Sequence, residues 1–235
     1  MKKRLKINGI IMGCAGLAVV FFPRFFLRGI LNGFWEPCIE VMGFSLIFFG
    51  QIIRVSGRGY KAEHSRDSRA LIQGGPYQLV RNPMYLGIFL IGLGVVLVLF
   101  KWWVVVIFII VFIIRYLLLI YQEEAKLRGM FPGTYQEYCQ KVPRILPSLL
   151  RLLKLKITEY LPLKLSWFYR EIGSIFTLIL LVFLVESWKN ISEEGFKAYL
   201  SQSLWVSLTF IIFIIFVVSL SKRTSKRDEN SANKS

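Results

Sequence analysis

The apolar positions come in uninterrupted blocks; they neither alternate every second residue nor recur in heptads. Each block approaches the roughly 20 residues that a helix needs to cross a ~30 Å hydrocarbon layer. Six such blocks, at about Ile7–Phe26, Ile39–Ile53, Tyr85–Phe100, Trp102–Ile120, Ile172–Val185 and Leu204–Leu220, predict an all-α, polytopic membrane bundle of six transmembrane helices. Between the second and third blocks, Arg54–Arg81 carries Gly57, Gly59, Gly74, Gly75 and Pro76 and reads as an irregular loop. After the fourth block, Gly129-Met130-Phe131-Pro132-Gly133 is a stop and a turn, and Tyr135–Gln140 a short helix. From Ser148 to Tyr160 leucines interleave with Arg151, Lys154 and Lys156, a basic amphipathic pattern suited to the headgroup plane. No internal repeat is visible, which argues against the repeat-built transporter folds.

Composition agrees with this pattern. Of 235 residues, 55% are apolar and only 19% charged, too greasy for a soluble enzyme of this length. Charge sets the orientation. With both termini inside, the inner segments hold 24 of the 30 Lys+Arg and 8 of the 14 Asp+Glu, so the whole net charge of +16 falls on one side of the membrane. That asymmetry predicts cytoplasmic termini. The basic surplus then points to anionic membrane lipids as partners and not to nucleic acid. Lys2, Lys3, Arg4 and Lys6 ahead of an apolar run imitate a secretory signal, but the run continues past Cys14 to Phe22 without a small-residue cleavage site. Three cysteines without a CxxC pair and a single histidine, His64, leave no metal-ligand set and no Ser-His-Asp triad.

Three features could carry chemistry. The stretch Gly74-Gly75-Pro76-Tyr77-Gln78-Leu79-Val80-Arg81-Asn82-Pro83-Met84-Tyr85-Leu86-Gly87 combines glycines that admit a ligand to the backbone with tyrosines that offer a ring and a hydroxyl. It equally describes a tyrosine-rich interfacial start to a helix. Glu123-Glu124, at the inner end of the fourth block, would attract a cation, or form a solvated face paired with Lys126 and Arg128. Arg115 lies about 12 Å deeper along the same helix. A guanidinium there is costly unless paired or hydrated, so it is expected to face the bundle interior and share a cavity with Glu123, or to be pinned there for packing alone.

Taken in order, Gly-Pro-Tyr-x-x-Val-Arg-Asn-Pro-x-Tyr-x-Gly, two spans joined by a tight turn, Glu-Glu-x-x-Leu, Phe-Pro-Gly-x-Tyr-x-x-Tyr and Val-Pro-Arg-x-x-Pro resemble the isoprenylcysteine carboxyl methyltransferase and phospholipid methyltransferase family of membrane enzymes. The resemblance covers about Gln73–Pro147. Asn82 stands where the family commonly has histidine, so acid-base chemistry at that position becomes doubtful. The resemblance implies S-adenosylmethionine as methyl donor, with Gln73, Gly75, Tyr77, Val80, Asn82 and Tyr85 on one side of it. Glu123 and Glu124 would approach it from another side, Tyr135 and Tyr138 would close the pocket, and Arg144 would lie near the acceptor; with Arg115, expected on physical grounds alone, Arg144 and Glu123 are the candidate catalytic residues. A paired carboxylate and tyrosine faces suit a sulfonium and an ammonium, while an arginine suits an anionic lipid-borne acceptor.

The expected division is 1–53 for the first two spans, 54–147 for the methyltransferase core, 148–170 for the interfacial segment, 171–220 for the last two spans and 221–235 for a basic tail. Two other readings stand beside this one. An NADPH-dependent membrane sterol or lipid reductase of related architecture is one, and a non-enzymatic lipid-binding membrane protein is the other. Short loops suggest an inner membrane of bacterial type.

Overall fold

The computed structural model describes residues 21–29, 35–65, 71–147 and 160–173, with isolated positions between 175 and 222. Its described elements are a single helical turn α1 (Pro23–Phe26) and helices α2 (Trp35–His64), α3 (Pro83–Leu99), α4 (Trp102–Met130) and α5 (Thr134–Lys141), with a 3₁₀ turn at Gly75–Gln78. No strand occurs among the described residues; one antiparallel bridge joins Leu27 to Phe100. The expected spans over 7–26, 172–185 and 204–220, and most of the basic stretch 148–160, lie outside the described residues or are described only at scattered positions.

Helices α2 and α4 are long and apolar enough to cross a membrane, and α3 is a shorter apolar helix between them. They use their apolar surface differently. Half of the apolar stretch of α2 is buried, against only 6% for α4. Along α4, Ile107, Ile110, Val111, Ile114 and Leu118 are all exposed. A soluble chain seldom leaves so continuous an apolar patch in water, and a lipid-facing helix does so by design.

The α2–α3 pair forms the core. Phe44, Ile47, Phe48, Ile52 and Val55 recur at three- and four-residue spacing on one face of α2 and bury against Val98, Leu99, Leu163 and Trp167. The two backbones approach closely at two glycine pairs. A Cβ built on Gly50 would lie 2.6 Å from the Gly87 carbonyl oxygen, and one on Gly87 would lie 2.7 Å from that of Gly50. Gly43 and Gly94 face each other in the same way one register further along. Lipid offers little hydrophobic drive for helix association, so close backbone contact at small residues supplies much of the packing.

The irregular loop expected from Arg54 begins only after His64. Gly57 and Gly59 stay helical because each seats a neighbour: Gly57 lies against Pro83 and Met84, and Gly59 under the Trp167 ring. Their role is close packing and not chain reversal. Elsewhere local chemistry and element ends agree. Pro83 opens α3 at a position where a missing N–H costs nothing. Phe100 and Lys101, both extended, separate α3 from α4 as a two-residue corner. Pro132 cannot continue α4, and Gly133, at φ +87°, makes the turn into α5.

Replacing Gly50 by leucine should lower the melting temperature of the detergent-solubilised protein by roughly 5 °C or more, because the backbone of α3 must move. Gly129→Ala, where an added methyl meets nothing, should leave it unchanged or raise it slightly. Thermal unfolding of both variants checks this.

Candidate functional site

The inner-loop motif and the carboxylates of α4 meet where α2 ends, α3 begins and α4 ends. Glu124 is the hub. It is 2% exposed, and two guanidiniums hold it. Arg144 donates from Nε to Oε1 at 3.2 Å and from Nη2 to Oε2 at 3.0 Å, a two-pronged contact, while Arg81 Nη1 lies 3.1 Å from Oε1. The Arg144 guanidinium also rests over the Tyr121 ring at 4.5 Å. Hydrogen bonding to Glu124 holds the Arg144 guanidinium above the ordinary arginine value, against the opposing effect of burial.

Backbone and side-chain bonds then stitch the segment after α4 onto the motif loop. Arg81 N–H donates to the Pro143 carbonyl at 2.9 Å, and Asn82 Nδ2 to the Arg144 carbonyl at 3.2 Å. Tyr138 donates its hydroxyl to the Tyr77 carbonyl at 2.6 Å, and Tyr77 donates to the Gly57 carbonyl at 3.4 Å. Arg81 Nη1 also contacts Cys139 Sγ at 2.8 Å. Gly75, at φ +57°, lets the loop turn beneath the Tyr60 ring.

These contacts enclose a cavity of about 300 Å³. Tyr77, Tyr135 and Tyr138 supply aromatic wall and hydroxyls, and Leu71, Ile72, Leu127 and Phe131 an apolar side. Lys61, Arg81 and Asn82 add polar groups. Burial raises the hydroxyls of Tyr77 and Tyr138 above their usual range; the same cause, followed by the Glu124 charge, pushes Tyr135 up to about 12. All three are therefore neutral hydrogen-bond donors at physiological pH.

The two adjacent glutamates do not form one acidic patch. About 100° of helix separates them, so Glu124 points into the arginine clamp while Glu123 is exposed and accepts a hydrogen bond from Tyr85 at 2.8 Å. Tyr85 in turn packs edge-on to Tyr116, which stacks on Phe112 at 3.9 Å.

Among the expected site residues, Tyr77, Asn82, Tyr135 and Tyr138 line the cavity. Gly75 and Val80 are buried in the loop behind it, and Gln73 is half-buried outside its lining. Tyr85, Glu123, Glu124 and Arg144 sit beside it through the contacts above. Arg115 is exposed among the described residues, on a face shared with Ile114 and Leu118, and is not part of the cavity lining. Eight residues along the helix keep it on roughly the same side as Glu123, which is also exposed. Sequence reasoning assigned no role to Arg81, although an arginine inside the motif and one carboxylate that must be buried form a natural pair. Leu127, three residues after Glu124 on the same face of α4, was legible by helical spacing.

Residues 39–133 match the family model for phospholipid methyltransferase, a stretch that takes in most of α2, all of α3 and α4, and the motif loop. Over this stretch the chain is similar to the phospholipid methyltransferase family. Among curated proteins similar to it, Protein-S-isoprenylcysteine O-methyltransferase B of Arabidopsis thaliana is 28% identical over 141 residues, covering 55% of this chain and 66% of the relative. A probable protein-S-isoprenylcysteine O-methyltransferase of Oryza sativa subsp. indica is 30% identical over 125 residues, covering 50% of this chain and 64% of the relative. The match thus spans just under two thirds of these relatives' own length. No solved structure matches the chain. Within the family frame, Tyr135, Tyr138 and Arg144 lie beyond the matched stretch, yet they fold back onto it through Arg81, Asn82 and Glu124.

Glu124→Gln keeps the shape of the side chain but leaves two guanidiniums without their counter-charge. It should cost about 3 kcal/mol, read as a melting temperature roughly 5–10 °C lower in detergent. Glu123→Gln, at an exposed position, should shift melting by about 2 °C or less. Equal shifts for the two would show that the clamp does not hold the site together.

Proposed function

We propose that the protein is an S-adenosylmethionine-dependent membrane methyltransferase that modifies an anionic oxygen, a carboxylate or a headgroup phosphate, on a lipid-borne acceptor at the cytoplasmic leaflet. The observation that carries this reading is the tyrosine-walled cavity held beside the Glu124–arginine clamp, in a chain similar to the phospholipid methyltransferase family. Its relatives' names specify an isoprenylcysteine O-methyl acceptor, which fits an anionic oxygen attached to a greasy anchor.

The cavity's chemistry suits the donor. The apolar side made by Leu71, Ile72, Leu127 and Phe131 fits a flat base, electron-rich tyrosine faces suit a sulfonium, and Lys61 and Arg81 suit a carboxylate. At about 300 Å³ it lies at the lower end of the roughly 300–1,000 Å³ typical of small-ligand sites. S-adenosylmethionine, held by the tyrosine faces with Lys61 and Arg81 toward its carboxylate, would supply an electrophilic methyl group to an acceptor oxyanion and leave as neutral S-adenosylhomocysteine. A partly dehydrated pocket favours such a step without a strong base.

The chain's own residues position and screen. Two of the five N–H donors of Arg144 are committed to Glu124, which fixes the plane of the guanidinium and leaves donors for an incoming anion. Asn82 positions Arg144 through its backbone carbonyl and carries no proton in the reaction. Glu123, oriented by Tyr85, is the carboxylate placed to accept a proton if the acceptor has one to lose. Tyr138 closes the wall by tying α5 to the motif loop.

S-adenosylhomocysteine should raise the melting temperature of the purified protein by several degrees and NADPH should not, with the shift lost in Tyr77→Ala. Membranes containing the protein should transfer label from S-[methyl-³H]adenosylmethionine to an organic-extractable product. Stabilisation by NADPH alone would favour the reductase reading instead.

A further inference from the structure

At the far end of α3, about 25 Å from the cavity described above, lies a second cavity that methyl transfer does not use. It encloses about 380 Å³ between the start of α2, the end of α3 and the start of α4. Ile39, Leu97, Phe100, Trp102 and Val105 make its walls apolar, while Arg28 and Lys101 bring two cations to it. Two backbone hydrogen bonds bring the two residues to neighbouring positions on the pocket wall: Arg28 N–H donates to the Leu99 carbonyl at 3.0 Å, and Lys101 N–H to that of Phe26 at 3.0 Å. The bridge between Leu27 and Phe100 thus pins the segment before α2 against the α3–α4 corner.

Arg28 is 8% exposed, yet its Nε and Nη2 make no hydrogen bond. Only Nη1 is engaged, at 3.4 Å from the Leu97 carbonyl. Glu36 and Glu40 attract the guanidinium at 3.7 and 3.9 Å, too long for hydrogen bonds. Lys101 Nζ donates one bond, to the Arg24 carbonyl at 2.7 Å, and an ammonium has two further donors. The guanidinium is thus ion-paired but has unused hydrogen-bond donors, which is costly when buried in a membrane protein and which a further acceptor oxygen in the cavity would satisfy. Trp102 is 78% exposed at the mouth, where an amphipathic ring suits the headgroup level. A methyl added at Gly29 would meet nothing among the described residues.

We infer that this cavity is a phospholipid site in the leaflet opposite the reaction centre, with the lipid phosphate on Arg28 and Lys101 and the start of an acyl chain against Ile39, Leu97 and Val105. The occupant is a membrane phospholipid and not free phosphate, because the two cations border an apolar hollow that only a chain-bearing ligand fills. Such a lipid would tie the segment before α2 to the α3–α4 corner, and it does not depend on the methyltransferase reading.

Three probes separate the sources: dioleoylphosphatidylglycerol, dioleoylglycerol and inorganic phosphate, each titrated onto delipidated protein in detergent with native mass spectrometry and thermal unfolding as readouts. The phospholipid should bind and raise the melting temperature; neither the diglyceride nor phosphate should match it. Arg28→Met should weaken phospholipid binding about tenfold or more, and Lys101→Met should weaken it in the same direction. Val105→Trp, which fills the hollow and keeps both cations, should weaken it too, and it decides the matter if Arg28→Met does not fold. Equal phospholipid binding by wild type and Val105→Trp, or equal stabilisation by dioleoylglycerol or by phosphate, would overturn the proposal.

Discussion

One buried carboxylate organises the functional end of this molecule. Glu124 cannot be left alone at 2% exposure, and the two guanidiniums that answer it come from opposite sides of the sequence. Arg81 belongs to the loop before α3 and Arg144 to the segment after α5. Neutralising the charge therefore forces those segments together, and the remaining bonds among Asn82, Pro143, Tyr77 and Tyr138 follow once they are adjacent. Breaking such a pair leaves a buried charge uncompensated, so its removal costs far more than the net worth of the contact. The cavity is a consequence of that closure.

The clamp needs a fixed platform, and the glycine contacts of α2 and α3 provide it. Close approach at Gly50–Gly87 and Gly43–Gly94 sets the two helices at a short distance along their length. Aromatic contacts from Phe89 to Phe108 and Phe112 then hold α4 to α3 more loosely. On the other side of α2, Ser56 donates to the Pro162 carbonyl, Arg54 and Arg58 pair with Glu171, and Glu63 accepts from Trp167 and Lys164. The long extension of α2 beyond the membrane-crossing stretch is thus a docking post for residues 162–171.

Much of this was legible beforehand, and what was missed has physical reasons. Continuous apolar runs predict α3 and the start of α4, because a helix in lipid must satisfy its own backbone and has no polar face to confuse the pattern. Lys101 as a bare corner, and Phe-Pro-Gly as a stop before α5, follow from local backbone chemistry. Glycine was misleading in α2. Gly57 and Gly59 suggested a loop, whereas a seven-residue repeat, Gly43, Gly50 and Gly57, answered by Gly87 and Gly94, is a packing signal that shows only when both helices are read together. The motif residues were visible as a group, but which guanidinium meets which carboxylate is a three-dimensional fact. Arg115 was expected to share a face with Glu123, and both are exposed among the described residues, away from the cavity lining. Adjacent glutamates read as one acidic feature, while a 100° turn gives them separate environments.

A double-mutant cycle across the clamp tests the central claim most directly. Glu124→Gln, Arg144→Met and their combination would be compared by thermal unfolding and by S-adenosylhomocysteine binding. If the clamp closes the cavity, the second substitution should add much less than it costs alone, a coupling of about 1.5 kcal/mol or more, with binding lost in all three variants. Additive losses in stability, with ligand binding intact in the single variants, would contradict the account.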